Sequence, residues 1–389
     1  MCCYISSNDN RIYAALESGY GTVAAFAAEQ RIPALTLDVR QTAERPRRRD
    51  KTGGRTFLGL PSSLRRRTTF DLTTYLTEWA ADADAPPYDA LVHAAMGGAG
   101  ALFTGGTISA AADATHITFA APHGLVPGQA VRYLTEIRFV AAVVDSESVA
   151  LNAPFSAVPE TGAELGRTIT YFPATNLPSA SIFDYWSPEE AVQRILAGSA
   201  VDRMRILVNG DFHQVSFAGT AREIIDSTTF TPGSGDLAEF PAEPPATGQF
   251  SLVPGSLGEA WFGAIPSQFH TLLSAEVTLE NGIDTREREF GMGKPGCFAA
   301  GERRVSVDLD ILTDCAAETV ALYQAAAQRS PISVMFQLGQ TEGHLCGVWM
   351  NQVIPETPQF DDGETRLRWR FRDSRAQGTG DDELIVAFA

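Results

Sequence analysis

The nine residues Arg304 to Leu312, RVSVDLDIL, alternate without a break. Val305, Val307, Leu309 and Ile311 fall on one side and Ser306, Asp308 and Asp310 on the other, the period-two pattern of a half-buried β-strand. Upstream lies a second alternating run, SAEVTLE (Ser274 to Glu280), and the two are separated by the charged loop IDTREREFGMGKPGCFAAGERR. Downstream, DCAAETVALYQAAAQRSP predicts a helix that starts at Asp314 and is closed by Ser330-Pro331, with Val320, Tyr323 and Ala327 on one face. Farther on, TRLRWRFRD sets Leu367, Trp369 and Phe371 against Arg366, Arg368, Arg370 and Arg372, and Asp362-Gly363 before it reads as a hairpin turn.

The same order occurs earlier in the chain. ALTLDV (Ala34 to Val39) leads through a charged loop into TTFDLTTYL (Thr68 to Leu76) and then PPYDALVHAAMGG, a helix ending at Gly97. RILVNGDFHQVSF (Arg205 to Phe217) supplies a hairpin about Asn209-Gly210. With Asp71 matched to Asp308, this predicts a duplicated, mainly β chain in which the order strand, long charged loop, strand, helix, hairpin occurs twice. Repeat one spans 12–104 and 176–230, and repeat two spans 259–389. Residues 105–175, short strands broken by Gly and Pro turns, read as an inserted all-β module, and the Pro/Gly-rich stretch 231–258 reads as a linker. SPEEAVQRILAG predicts one more helix, with Ser187 as N-cap, Pro188 first, Glu190 completing a capping box and Gly198 as the stop.

Charge is the first guide to function. The chain carries a formal −17, yet Arg45 to Arg67 packs nine basic residues against the single acid Asp50. That segment alone invites a nucleic-acid reading, but the rest carries 21 basic against 46 acidic residues, and a DNA-binding surface does not look like that. Five cysteines without a CxxC pair predict an unoxidised intracellular protein, and the scattered histidines offer no zinc ligand set. No apolar run reaches membrane-spanning length and the first residues lack a signal-peptide pattern. Enzyme signatures fail too: in GMGKPG (Gly291 to Gly296) Pro295 stands where a phosphate loop needs Ser or Thr, so a turn tip is expected there. The expectation is a chain with no cofactor, no metal and no catalytic residues.

SAEVTLENGID, GCFAAGERRVSVDLDIL, PISVMFQLG, DDGETRLRWRF and RAQGTGDDELIVAFA resemble the tail tube proteins of long-tailed bacteriophages, as does ALESGYGT near the start. HITFAAPHGLVPGQAV is similar to small β modules of phage tail proteins. The resemblance covers Ala15 to Thr22 and most of Ile265 to Ala389, and the first repeat more weakly. It rests on extended pattern, not on one diagnostic motif.

The resemblance implies that each repeat is a β-sandwich or barrel with a flanking short helix, and that the chain is a structural subunit of the virion tail, assembled in the host cytoplasm. Its partners are copies of itself and other tail proteins, with DNA passing through the lumen unbound. Duplicated members of that family form trimeric, pseudo-hexameric rings. Their long loops reach the next ring, which makes Arg47, Arg48, Arg49, Lys51, Arg55, Arg65, Arg66 and Arg67 of repeat one, and Arg286, Glu287, Arg288 and Lys294 of repeat two, candidate inter-ring contacts. Asp308 and Asp310 are candidates to line the lumen. A related tail-tip or baseplate ring protein is the alternative, and a nucleic-acid-binding protein a more distant one.

Overall fold

The computed structural model describes residues 7–46, 49–51, 53–60, 64–80, 83–186, 192–226 and 251–389. Repeat one opens with β1 (Arg11–Leu16), β2 (Arg31–Ile32), β3 (Ala34–Ala43), β4 (Arg66–Tyr75) and helix α1 (Asp89–Met96). The inserted region follows, with β5 (Ala101–Phe103), β6 (Gly106–Ala111), β7 (His116–Phe119), β8 (Ala130–Tyr133), β9 (Glu136–Val143), β10 (Ser148–Leu151), β11 (Glu164–Leu165) and β12 (Thr168–Tyr171). Repeat one then resumes through β13 (Ala180–Trp186), β14 (Val192–Val208), β15 (Gln214–Ala221) and β16 (Glu223–Asp226). Repeat two comprises β17 (Gly258–Gly263), β18 (Ser267–Gln268), β19 (Leu272–Glu280), β20 (Asp284–Thr285), β21 (Phe298–Ala299), β22 (Arg304–Leu312), α2 (Ala317–Gln328), β23 (Ile332–Leu338), β24 (Cys346–Ile354), β25 (Gln359–Asp361), β26 (Arg368–Gln377) and β27 (Ile385–Phe388).

Pairing establishes the mainly β fold and its duplication. In repeat one β1 pairs with β2 and β13, β13 with β14, β14 with β15 and β16, and β4 with β3 and β15. In repeat two β17 pairs with β18 and β23, β23 with β24, β24 with β26 and β27, and β22 with β19 and β26. The two networks correspond, with the long β14 taking the places of both β24 and β25. Even the irregularities match: the β3–β4 register shifts between Ala34 and Thr36, and the β19–β22 register shifts between Leu272 and Ser274. From α2 the chain enters β23 directly, whereas the equivalent step from α1 to β13 holds the insert.

RVSVDLDIL forms β22 with the expected alternation of buried and half-buried residues. Its buried side joins one hydrophobic core shared by both repeats, including Leu72, Phe217, Val307 and Phe371. Each such side chain, fully withdrawn from water, contributes about 1.5–3 kcal/mol before entropy is counted. α1 ends at Gly97, whose φ of 88° no β-carbon-bearing residue holds easily; a β-carbon there would also lie 2.8 Å from the Asn176 carbonyl.

Five sequence expectations need correction. The helix expected over Ser187 to Gly198 is a strand from Val192 onward, while residues 187–191 lie outside the described set. Ile195, Leu196 and Ala197 are all fully buried between β13 and β16, and two flanking strands outweigh a local capping signal. Helix α2 buries Thr319, Leu322, Ala325 and Ala326, and Val320 and Tyr323 point outward. Leu367 is exposed because the hairpin connection runs from Asp362 to Leu367 instead of turning within two residues. The module's own sheet ends at Leu165, and Thr168–Tyr171 belongs to the main sheet, where Ile169 faces Phe388. Of the expected linker, 231–250 is not described; Leu252 and Pro254 bridge to Thr77 and Phe212, so its end packs onto repeat one.

Although it is inserted in repeat one, the module docks on repeat two. Ala130, Ile137, Phe139 and Ala153 share a core with Trp261, Met335, Trp349 and Ile385. At its centre the Arg138 side chain is wholly buried. Its guanidinium meets Glu136 at 2.7 Å and Glu259 at 2.8 Å and donates to Gln337 Oε1 and the Pro154 carbonyl. A charge there is tolerable because its donors are matched by two carboxylates and further acceptors.

Candidate assembly surfaces

Beyond the strands inside each repeat, β14 pairs with β19, placing Arg203 opposite Glu280, Ile206 opposite Val277 and Val208 opposite Ala275. This seam fuses the repeats into one sheet in the order β3, β4, β15, β14, β19, β22, β26, β25. Among the described residues β3 pairs with β4 alone and β25 with β26 alone, so both ends are open. Ile206 and Val277 at the closed seam are 2% and 1% exposed, whereas Phe360 on β25 is 60% exposed and Leu35 on β3 42%.

Side chains pointing away from the core give this sheet a charged face. Asp38 and Arg40 lie on β3, Asp71 on β4, Arg203 and Arg205 on β14, Glu276 and Glu280 on β19. Arg205 Nε donates to Glu276 at 2.8 Å across the seam. Asp308 and Asp310 stand on the same face of β22, and Arg372 approaches both, at 3.7 and 2.6 Å. Asp38, Glu276, Asp308 and Asp310 therefore each have a guanidinium nearby, which softens the field that the sequence count alone suggests.

The two charged loops lie against each other at the end of this sheet. Arg66 N donates to the Gly293 carbonyl at 3.0 Å, Arg65 reaches the Glu289 carbonyl at 3.4 Å, and Arg67 stands 3.4 Å from the Glu287 carboxylate. Lys294 pairs with Glu223 at 2.6 Å, and Arg286 lies 3.9 Å from Glu289. Arg288 contributes its carbonyl to Arg65 at 3.5 Å, its own side chain exposed. Arg49, Lys51 and Arg55 are exposed and make no ion pair among the described residues, while Arg47 and Arg48 lie outside that set. The structure thus sets the root of loop one against the middle of loop two and leaves Asp308 and Asp310 apart, in mid-sheet.

Three features escape the sequence reading. Tyr323, Phe360 and Trp369 form an aromatic patch on the open β25 end, with ring centroids 5.2–6.2 Å apart. Phe360 sits beside an Asp-Asp-Gly turn, so it reads as loop. Glu17, within ALESGYGT, is buried and accepts from Gly21 N, Ser179 Oγ, Ser181 Oγ and Gly198 N. Those partners lie far along the chain, and only the Gly21 bond is local. His213 is 2% exposed at the foot of β15 beside a cavity of about 310 Å³ lined by Asn209, Leu257 and Gln268, and burial pushes its pKa down to about 4. Among the described residues no group of three or more His, Cys, Asp or Glu could hold a metal ion, and no helix is long and apolar enough to cross a membrane. No known family model matches this chain, and no curated protein matches it in sequence.

Proposed function

We propose that the chain is a structural subunit of a phage tail tube, whose copies form stacked rings that make the conduit for DNA ejection. The observation that carries this reading is the β14–β19 seam: two copies of one fold are already joined edge to edge, and the sheet they build stops at two open ends. An open strand edge is a template for further pairing, and identical neighbours arranged in a ring satisfy every edge at once. Three chains then supply six quasi-equivalent repeats. The charged face suits the inner wall, because its acids repel phosphate while its arginines, paired with those acids, are poor anion traps. The resemblance of the C-terminal third to tail tube proteins points the same way.

Negative-stain electron microscopy and mass measurement of the purified chain across concentration test the reading. Rings of three subunits, stacking into tubes as concentration rises, are the expected result. A chain that stays monomeric at every concentration and ionic strength overturns it.

A further inference from the structure

The chain contains two Asn-Gly pairs, Asn209-Gly210 and Asn281-Gly282, and they stand in opposite surroundings. An asparagine before glycine is prone to react with its own backbone, because no β-carbon shields the next nitrogen from the side-chain carbonyl carbon. Asn281 is buried, and its Nδ2 donates to the Ala95 carbonyl at 2.9 Å and to the Val201 carbonyl at 3.0 Å. Its backbone N–H donates to the Asp202 carbonyl at 2.8 Å. Gly282 is confined as well, since a β-carbon on Gly301 would lie 2.6 Å from its carbonyl oxygen. That side chain cannot turn without opening the junction of α1, β14 and β19.

Asn209-Gly210 begins the connection between β14 and β15, which runs from Asn209 to His213 and is longer than the two-residue turn expected from the sequence. Asn209 is half-buried, Gly210 is exposed, and a β-carbon on Gly210 would meet nothing within 4 Å. Asn209 Oδ1 accepts from Asp211 N at 3.0 Å, a bond that folds the side chain back along the loop past Gly210 and polarises its carbonyl. Among the described residues no hydrogen bond holds Nδ2, the group that would leave.

We infer that Asn209 is a self-modification site, deamidating in the folded chain while Asn281 is protected. The Gly210 nitrogen attacks Cγ of Asn209, the Cγ–Nδ2 bond breaks, and the proton lost by Gly210 leaves with Nδ2 as ammonia. Water then opens the resulting cyclic imide at either carbonyl, giving aspartate or isoaspartate. During the attack the Asp211 N–H supports the oxygen on which negative charge develops. The product adds one negative charge one residue beyond Val208, which with Ala275 forms the last pair of the seam between repeats. The isoaspartyl form also lengthens the main chain by one carbon against Gly255, where a β-carbon would already lie 2.4 Å from the Asn209 carbonyl oxygen. The modification therefore falls on the repeat junction, and it does not depend on the ring-forming reading above.

Prolonged warm incubation of the purified chain at mildly alkaline pH, followed by tryptic mass mapping, is the test. The peptide Ile206 to Arg222 carries Asn209 alone, and Glu223 to Arg286 carries Asn281 alone. The mass gain of amide-to-acid conversion should appear in the first about tenfold or more faster than in the second, because Asn281 reacts only from a locally opened state. In concentrated urea the two rates should converge. Gly210→Ala, which the open space accepts, should melt like the wild type and slow the reaction at Asn209 by about tenfold, its β-carbon now shielding the attacking nitrogen. An Asn209 that stays intact in the folded chain, a rate no faster than at Asn281, or an unchanged rate in Gly210→Ala overturns the inference. A difference that persists in urea overturns it too, since it would trace to neighbouring sequence and not to the fold.

Discussion

Helices α1 and α2 occupy the same place in their repeats and are buried to different depths. In α1 every residue but Asp89 and His93 is buried. Tyr88 contacts Phe388, the Tyr171 hydroxyl donates to Asp89, and Asn281 caps the last turn through the Ala95 carbonyl at 2.9 Å. Those covering residues come from repeat two and from the insert. In α2 the stripe of Val320 and Tyr323 is 45% and 36% exposed, and among the described residues only the aromatic rings of Phe360 and Trp369 stand beside it. One fold, met twice in a single chain, thus shows its closed state and its open state side by side. The difference teaches where a partner is missing.

Substitutions in the helices break the comparison most sharply. Leu91→Ala, at a fully buried site, should cost about 2–5 kcal/mol in denaturant unfolding because the surrounding elements cannot collapse onto the gap. Tyr323→Ala should stay within about 1 kcal/mol for the free subunit, as exposed positions do, and should show its effect in ring formation. Equal losses of monomer stability would mean that α2 is as closed as α1.

The hairpin tips differ in the same sense. In repeat one the β14–β15 connection buries His213 beside the repeat junction, whereas the β25–β26 connection, Asp362 to Leu367, is exposed and has no histidine. Burial lowers the His213 pKa from 6.5 to about 4, partly offset by the Leu257 backbone. The folded state therefore disfavours the proton that the unfolded chain accepts. Stability from this group is complete above pH 6.5 and is lost as the pH falls from there towards 4, by on the order of 2–3 kcal/mol. Unfolding midpoints measured between pH 7 and 4 should slope downwards on acidification, and His213→Phe should flatten that slope. A wild-type profile flat over this range would show that the imidazole is hydrated or paired.

Local pattern explains what could be read in advance. β22, β19 and β4 alternate because one face packs and the other meets water, so their sequences carry the period and their duplication. Where neighbours decide, local pattern fails. β14 is buried by two flanking strands, which no capping signal near Ser187 reveals. In the alanine-rich helix AETVALYQAAAQ both stripes are apolar enough to be the buried one. Arg138 lies in an apolar run and reads as a surface charge; its partner Glu259 is 121 residues away. The loops are legible in composition, but their mutual contact depends on the register of the strands that bring them together.

The smallest effect on stability concerns those loops, and it divides root from tip. At the root, Arg67 meets Glu287 with both side chains partly in water, 58% and 24% exposed. Such a pair is screened and costs side-chain entropy, so Arg67→Ser should change unfolding free energy by about 0.5 kcal/mol or less. At the tip, Arg49, Lys51 and Arg55 of loop one stand exposed, as does Phe290 of loop two. Replacing the three tip cations with Ser should leave the melting curve and the rings unchanged and prevent rings from stacking, because their acidic partners are supplied by the next ring. Tube length in micrographs reads the outcome. Normal tubes from the tip variant would move the inter-ring contact away from loop one; loss of stacking from Arg67→Ser alone would mean that the root, by holding the two loops together, sets the geometry that the tip then uses.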